Sequence, residues 1–213
     1  MLILEAPDAE GILLIGSGAG GDPRRYSTVL DSLAAIGFTV LAPKNERFDP
    51  RTVTTEQLLD RAHGLAAALS KYARTDLPVV AAGRSVCGWA ALCLAGAHPL
   101  DRDGKPLQVD AEERVTRLVL LAPTVGRFQA PGALVDVTVP TDVFVGAKDS
   151  ITPASMVEIL QSAPAMVSIH TEENAGHFDF MTDLPPGMTP TRGLDHAMFL
   201  RELASQIAVA IHQ

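Results

Sequence analysis

The stretch Pro78-Val79-Val80-Ala81-Ala82-Gly83-Arg84-Ser85-Val86-Cys87-Gly88-Trp89-Ala90 decides the fold. Pro78 to Ala82 is a short, uninterrupted apolar run, which predicts a strand buried on both faces. From Gly88 to about Ala97 the chain is again apolar and predicts a buried helix. Only Gly83 to Cys87 lie between them, so the strand must turn into the helix at once. Such a turn lifts the side chain at its apex, Ser85, clear of the sheet. The positions two before and two after the apex crowd neighbouring backbone and must be small. Gly83 meets that need fully, and Cys87 is a small residue on the other side.

The same alternation of apolar runs and amphipathic stretches extends in both directions. Gly11 to Ile15 is an apolar run ending in Gly16-Ser17-Gly18-Ala19-Gly20-Gly21. Asp22-Pro23 then reads as an N-cap with proline at the first helical position. Tyr26, Val29, Leu30, Leu33 and Ala34 follow at helical spacing, and Gly37 ends the helix. Phe38 to Ala42 is the next strand, and Thr54 with Gln57 forms a capping box ahead of a helix carrying Leu58, Ala62, Leu65 and Leu69. Val115 to Ala122 and Thr141 to Gly146 are further strands, joined through a short helical stretch with several Pro and Gly. Pro153 to Ala163 predicts a helix, Met166 to His170 a strand, and Asp195 the start of a last helix. Asp101 to Glu113 is a polar surface connection. Apolar strands separated by helices predict one mostly parallel sheet with helices on both faces, a single α/β domain over 1–213. Sheets of this kind place ligands beyond the carboxyl ends of their strands.

Composition narrows the function classes. The 213 residues are 47% hydrophobic with a net charge of −8, which excludes a disordered chain. No cluster of basic residues is present, so neither nucleic acid nor an anionic membrane surface is an expected partner. The longest apolar run, Gly88 to Ala97, falls short of the roughly 18 residues of a membrane span. Met1-Leu-Ile-Leu-Glu lacks the basic start of a signal peptide. Cys87 and Cys93, the only cysteines, make no disulfide framework or metal site, and a reduced, cytoplasmic setting is expected.

A serine hydroxyl becomes a nucleophile only when a base takes its proton, and the base needs an acid to orient it. Val143-Phe144-Val145-Gly146-Ala147-Lys148-Asp149 ends one strand in a turn carrying Asp149, and Asn174-Ala175-Gly176-His177-Phe178 follows the next strand. The chain order Ser85, Asp149, His177 is the order a nucleophile elbow of this type requires. Each has a plain alternative: Ser85 as a helix N-cap, Asp149 as a turn residue, His177 as a surface or core histidine. Asp142 and Asp179 are rival acids, the first ahead of its strand and the second very near His177. Val86 N–H at the helix start is one candidate donor to a substrate oxyanion. The loop Gly16–Gly21 supplies the second, Ala19 N–H, with Gly18 as the alternative. That loop also matches G-x-G-x-x-G, but the following strand closes on Leu41-Ala42-Pro43-Lys44 without the acid a dinucleotide site needs.

With these motifs in place, the chain resembles the α/β-hydrolase superfamily over nearly its whole length. Gly176-His177-Phe178-Asp179-Phe180 and Asp195-His196-Ala197-Met198-Phe199-Leu200-Arg201-Glu202-Leu203 are similar to the dienelactone-hydrolase-like group of small serine esterases. Dienelactone hydrolase itself has a cysteine nucleophile where this chain has Ser85, and Ser17 replaces the usual histidine of the superfamily's HGxGG loop. The resemblance implies an esterase acting on small-molecule esters through Ser85, His177 and Asp149, with no metal and no organic cofactor. Thioesterase, amidase and acyltransferase chemistry on the same residues are the alternatives, as is a catalytically weak binding protein. The segments Pro123–Pro140 and Met181–Arg192 are too short for a large cap domain, so short acyl chains are the expected substrates. Arg84, Phe128, Phe178 and Met181 are candidate pocket residues.

Overall fold

An uninterrupted apolar segment can bury both of its faces only inside a covered sheet. The computed structural model describes residues 1–72 and 74–213, and in it the apolar runs become seven strands of one sheet. They are β1 (Leu2–Leu4), β2 (Gly11–Gly16), β3 (Phe38–Ala42), β4 (Val79–Arg84), β5 (Val115–Leu121), β6 (Thr141–Gly146) and β7 (Val167–Glu172). Their order is β1-β3-β2-β4-β5-β6-β7. β1 is antiparallel to β3, and every other neighbouring pair is parallel.

Side chains alternate between the two faces of each strand and so divide the core in two. Ile12, Leu14, Val79, Ala81, Leu118, Leu120, Val143 and Val145 pack under α2 (Thr55–Tyr72) and α3 (Val86–Leu94). Leu13, Ile15, Val80, Ala82, Val119, Leu121 and Phe144 pack under α1 (Ser27–Ala35) and α4 (His196–Ile211). The edge strand β7 carries Ser168, His170, Thr171 and Glu172 and is only half-buried, the polar composition that keeps an exposed edge from pairing with other chains. No helix among the described residues is long and apolar enough to cross a membrane.

The helix starts follow the expected side-chain chemistry. Thr54 N–H donates to Gln57 Oε1 and Gln57 N–H to Thr54 Oγ1, a complete capping box. Asp195 Oδ1 accepts Met198 N–H at the start of α4. Four segments differ from the sequence expectation: Pro23–Tyr26, read as the first turn of a helix, is 3₁₀, and α1 starts only at Ser27. The stretch between β5 and β6 forms only a 3₁₀ turn, Gly126–Phe128, followed by turns around Pro131 and Gly132, whose φ of 80° interrupts any helix. Ala154–Ser162 is 3₁₀ rather than α-helical, and nothing in the structure explains the tighter winding. α3 stops at Leu94 rather than Ala97, where Gly96 (φ 100°) lets the chain turn away.

Candidate active site

β4 runs on to Arg84 and α3 begins at Val86, so Ser85 alone makes the turn, with φ 54° and ψ −122°. For a non-glycine residue this backbone is strained and persists only when its surroundings hold it. They do so through hydrogen bonds from Ser85 N–H to Leu121 O at 2.9 Å and from Thr124 N–H to Ser85 O at 3.0 Å. The small neighbours are obligatory. A Cβ on Gly83 would strike the Cys87 carbonyl, one on Gly88 would lie 2.6 Å from Pro123 Cβ, and one on Gly16 would lie 2.5 Å from Cys87 Cβ. The Ser85 side chain makes no capping hydrogen bond to α3, so the plain N-cap reading of this serine is removed.

Three residues distant in sequence meet at the carboxyl end of the sheet. His177 Nε2 lies 3.2 Å from Ser85 Oγ, and His177 Nδ1 lies 2.7 Å from Asp149 Oδ2. Asp149, on the turn after β6, also accepts the N–H groups of Ile151 and Thr152 on Oδ1 at 2.7 and 2.8 Å. Thr152, which the sequence reading passed over, places its hydroxyl 2.7 Å from Asp149 Oδ2 and 3.1 Å from His177 Nδ1. It also reaches the carbonyl of Ala122 at 3.2 Å, a residue itself at φ 43°. A threonine three positions after an aspartate at a strand end is the signal that could have revealed it.

The rival acids have other partners. Asp142 is inside β6, near its amino end, where it binds Arg117 at 2.8 Å and His170 at 3.0 Å. Asp179 accepts Gly176 N–H at 2.7 Å and Thr191 N–H at 3.1 Å, and so shapes the loop that presents His177. Arg84 braces the same loop, donating to the His177 carbonyl at 2.5 Å with its guanidinium over the Phe178 ring.

Burial sets the protonation states. It pushes the Asp149 carboxyl up, but the hydrogen bond and charge of His177 and the Thr152 donors outweigh it, leaving the carboxyl below its ordinary range. Burial pushes His177 down; the Asp149 hydrogen bond opposes this, the Arg84 charge adds to it, and the imidazole ends below the usual histidine value. Cys87, fully buried beside Gly16, is pushed up to about 11 by burial. Ala19 and Val86 both line the cavity beside Ser85, and their N–H groups have no protein acceptor among the described residues.

Ser85 and His177 open onto a cavity of about 540 Å³. Of the expected pocket residues, Arg84, Phe178 and Met181 line it, whereas Phe128 is core. No separate domain covers it. The segments read as too short for a large cap domain contribute to its walls, through Val125 and Gly126 on one side and Pro185 and Pro186 on another.

The fold has counterparts among solved structures. Esterase 2 of Thermogutta terrifontis, phosphoramylated by tabun, superposes with a TM-score of 0.64 at 16% identity, over 98% of this chain and 88% of that one. The chain has the α/β-hydrolase fold. The same esterase phosphorylated by paraoxon gives 0.63 at 16% identity over 98% and 87%, and its butyrate-bound form 0.64 at 16% over 97% and 85%. No protein-family model and no curated protein sequence matches the chain.

Proposed function

We propose that the protein is a serine hydrolase that cleaves carboxylic esters of small molecules. The hydrogen-bonded line from Ser85 Oγ through His177 to Asp149, opening on a cavity, carries this reading. In it, His177 Nε2 takes the Ser85 proton as Oγ attacks the ester carbonyl, and returns it to the leaving alcohol. Water then attacks the acyl carbonyl, giving a proton to His177, which returns it to Ser85 Oγ as the Oγ–acyl bond breaks and the acid leaves. Asp149 holds Nδ1–H, fixing the tautomer that leaves Nε2 free to accept. Val86 and Ala19 N–H stabilise the charge that develops on the carbonyl oxygen, and each donor of this type typically contributes about 3 kcal/mol to the transition state. The strained Ser85 backbone supports the reading too, because strain of this kind collects at functional positions.

The esterases of like fold react with organophosphates and bind butyrate, which agrees with this class of chemistry. The direct test is paraoxon. One equivalent should abolish hydrolysis of p-nitrophenyl butyrate, and peptide mass spectrometry should find one diethylphosphoryl group on Ser85. Ser85→Ala and His177→Ala should each lower kcat by at least about 10³-fold. Near-normal turnover by Ser85→Ala, or modification elsewhere with activity lost, overturns the reading.

A further inference from the structure

The protein is acidic overall, with a net charge of −8, yet its cavity is cationic. Arg25, Arg47, Arg84, Arg102 and Arg127 line it, against a single acid, Asp22, whose carboxylate is already held by Arg24. Among the described residues, five of the eight arginines elsewhere are ion-paired, the exceptions being Arg61, Arg192 and Arg201. Arg24, Arg51, Arg74, Arg114 and Arg117 each have a carboxylate partner, and none of these five lines the cavity. Among the described residues no cavity arginine is ion-paired. Arg25, Arg84, Arg102 and Arg127 bond only main-chain carbonyls, those of Asp183, His177, Arg51 and Leu100, and Arg47 has no hydrogen bond.

Two of the five belong together. Arg102 comes from the connection after α3 and Arg127 from the 3₁₀ turn after β5. Arg127 donates to the Leu100 carbonyl and accepts the Leu100 N–H, which sets it against the segment carrying Arg102, so two like charges share one edge of the cavity. Burial and the Arg102 charge lower the Arg127 pKa, and the Asp101 charge opposes them. Asp101, next in sequence, uses its carboxylate to accept the N–H groups of Asp103 and Lys105. Carbonyl bonds orient a guanidinium without neutralising it, and leave the rest of its donor fork for a ligand. Keeping two cations side by side has a cost that the Asp101 charge offsets only in part and that an anionic ligand removes.

We infer that the ester cleaved here carries an anionic group, a carboxylate or a phosphate, held at the Arg102–Arg127 edge while its ester carbonyl faces Ser85. This rests on the serine hydrolase reading. Guanidinium forks pair with either oxyanion in two-point geometry. The unpaired cations also draw anions toward the opening from an otherwise repelling surface. The group binds away from the reacting carbon, so its effect falls on KM and not on kcat.

The test compares mono-4-nitrophenyl adipate with its methyl ester, which differ in the distal charge and one methyl group. At low salt kcat/KM for the acid should exceed that for the methyl ester about tenfold, and the ratio should shrink toward one in high salt. Arg102→Gln, on the surface, and Arg127→Gln should each raise KM for the acid several-fold more than KM for the methyl ester. Calorimetric titration of Ser85→Ala with adipate and with inorganic phosphate identifies the oxyanion, and binding of either should weaken in the Arg102→Gln background. Equal turnover of the two esters, unmoved by salt or by Arg102→Gln, overturns the anion site and leaves the hydrolase reading standing. Anion binding lost in Arg102→Gln, with neither ester cleaved by the wild-type protein, supports the site and overturns the hydrolase reading.

Discussion

In the proposed mechanism His177 works as a base only when neutral, so the direction of its pKa would set the acid limb of activity. Burial and the Arg84 charge hold it below the ordinary 6.5. Protons must therefore be more concentrated than usual to charge it, and kcat/KM should rise with pH to a plateau whose inflexion lies below pH 6.5. Replacing Arg84 with Met removes a repelling cation, so the inflexion should move up; a pH profile of p-nitrophenyl butyrate hydrolysis by both proteins checks the sign. Thr152 makes a second, independent prediction. Its hydroxyl, 2.7 Å from Asp149 Oδ2, contributes one hydrogen bond to the carboxylate that orients the imidazole. Thr152→Val keeps the shape and deletes that bond, at about 1.5 kcal/mol for a bond to a charged group, which is roughly tenfold in rate. The drop should appear in kcat with KM unchanged.

At the scale of the elements, the β4–α3 turn and the α4 start respond in opposite ways. Cys87 packs against Gly16 with no space to spare, and burial holds its thiol near 11. Cys87→Gly should keep activity, Cys87→Leu should prevent folding or turnover, and a maleimide should inactivate slowly because almost no thiolate is present. Rapid inactivation tracking alkylation of Cys87 would contradict this. The Asp195 cap, by contrast, contributes stability alone. Asp195→Ala should cost about 1 kcal/mol and lower Tm by roughly 2–4 °C, with kcat/KM unchanged. The elements also show where sequence patterns mislead. Periodicity reports which side chains are buried, and in Ala154–Ser162 the buried ones, Val157 and Leu160, are three apart. It does not separate α from 3₁₀ winding, since both bring residues three apart onto nearly one face.

For the whole molecule, the cavity sets substrate size. Phe48, Val53, Leu58, Trp89 and Val125 give it apolar walls, and its volume is about 540 Å³. Each methylene buried there contributes about 0.8 kcal/mol, but only until the space is filled. Among p-nitrophenyl esters kcat/KM should rise from acetyl to butyryl and fall beyond about hexanoyl; a steady rise to dodecanoyl would show a channel continuing past these walls. By itself the sequence determined the sheet, because continuous apolar runs have no other way to bury two faces. It also determined the serine turn, because Gly83, Ser85 and Gly88 satisfy a local steric need. The order of Ser85, Asp149 and His177 was legible as well, each at the end of its own strand. Only the tertiary structure decided what surrounds them. Thr152 became visible when β5 and β6 lay side by side and brought it between Asp149 and the Ala122 carbonyl. The cationic cavity is assembled from arginines on four separate loops and β4, whose charges look unremarkable along the chain. Charge and shape at a site depend on which distant residues share a space, and that is settled by packing, not by neighbours in sequence.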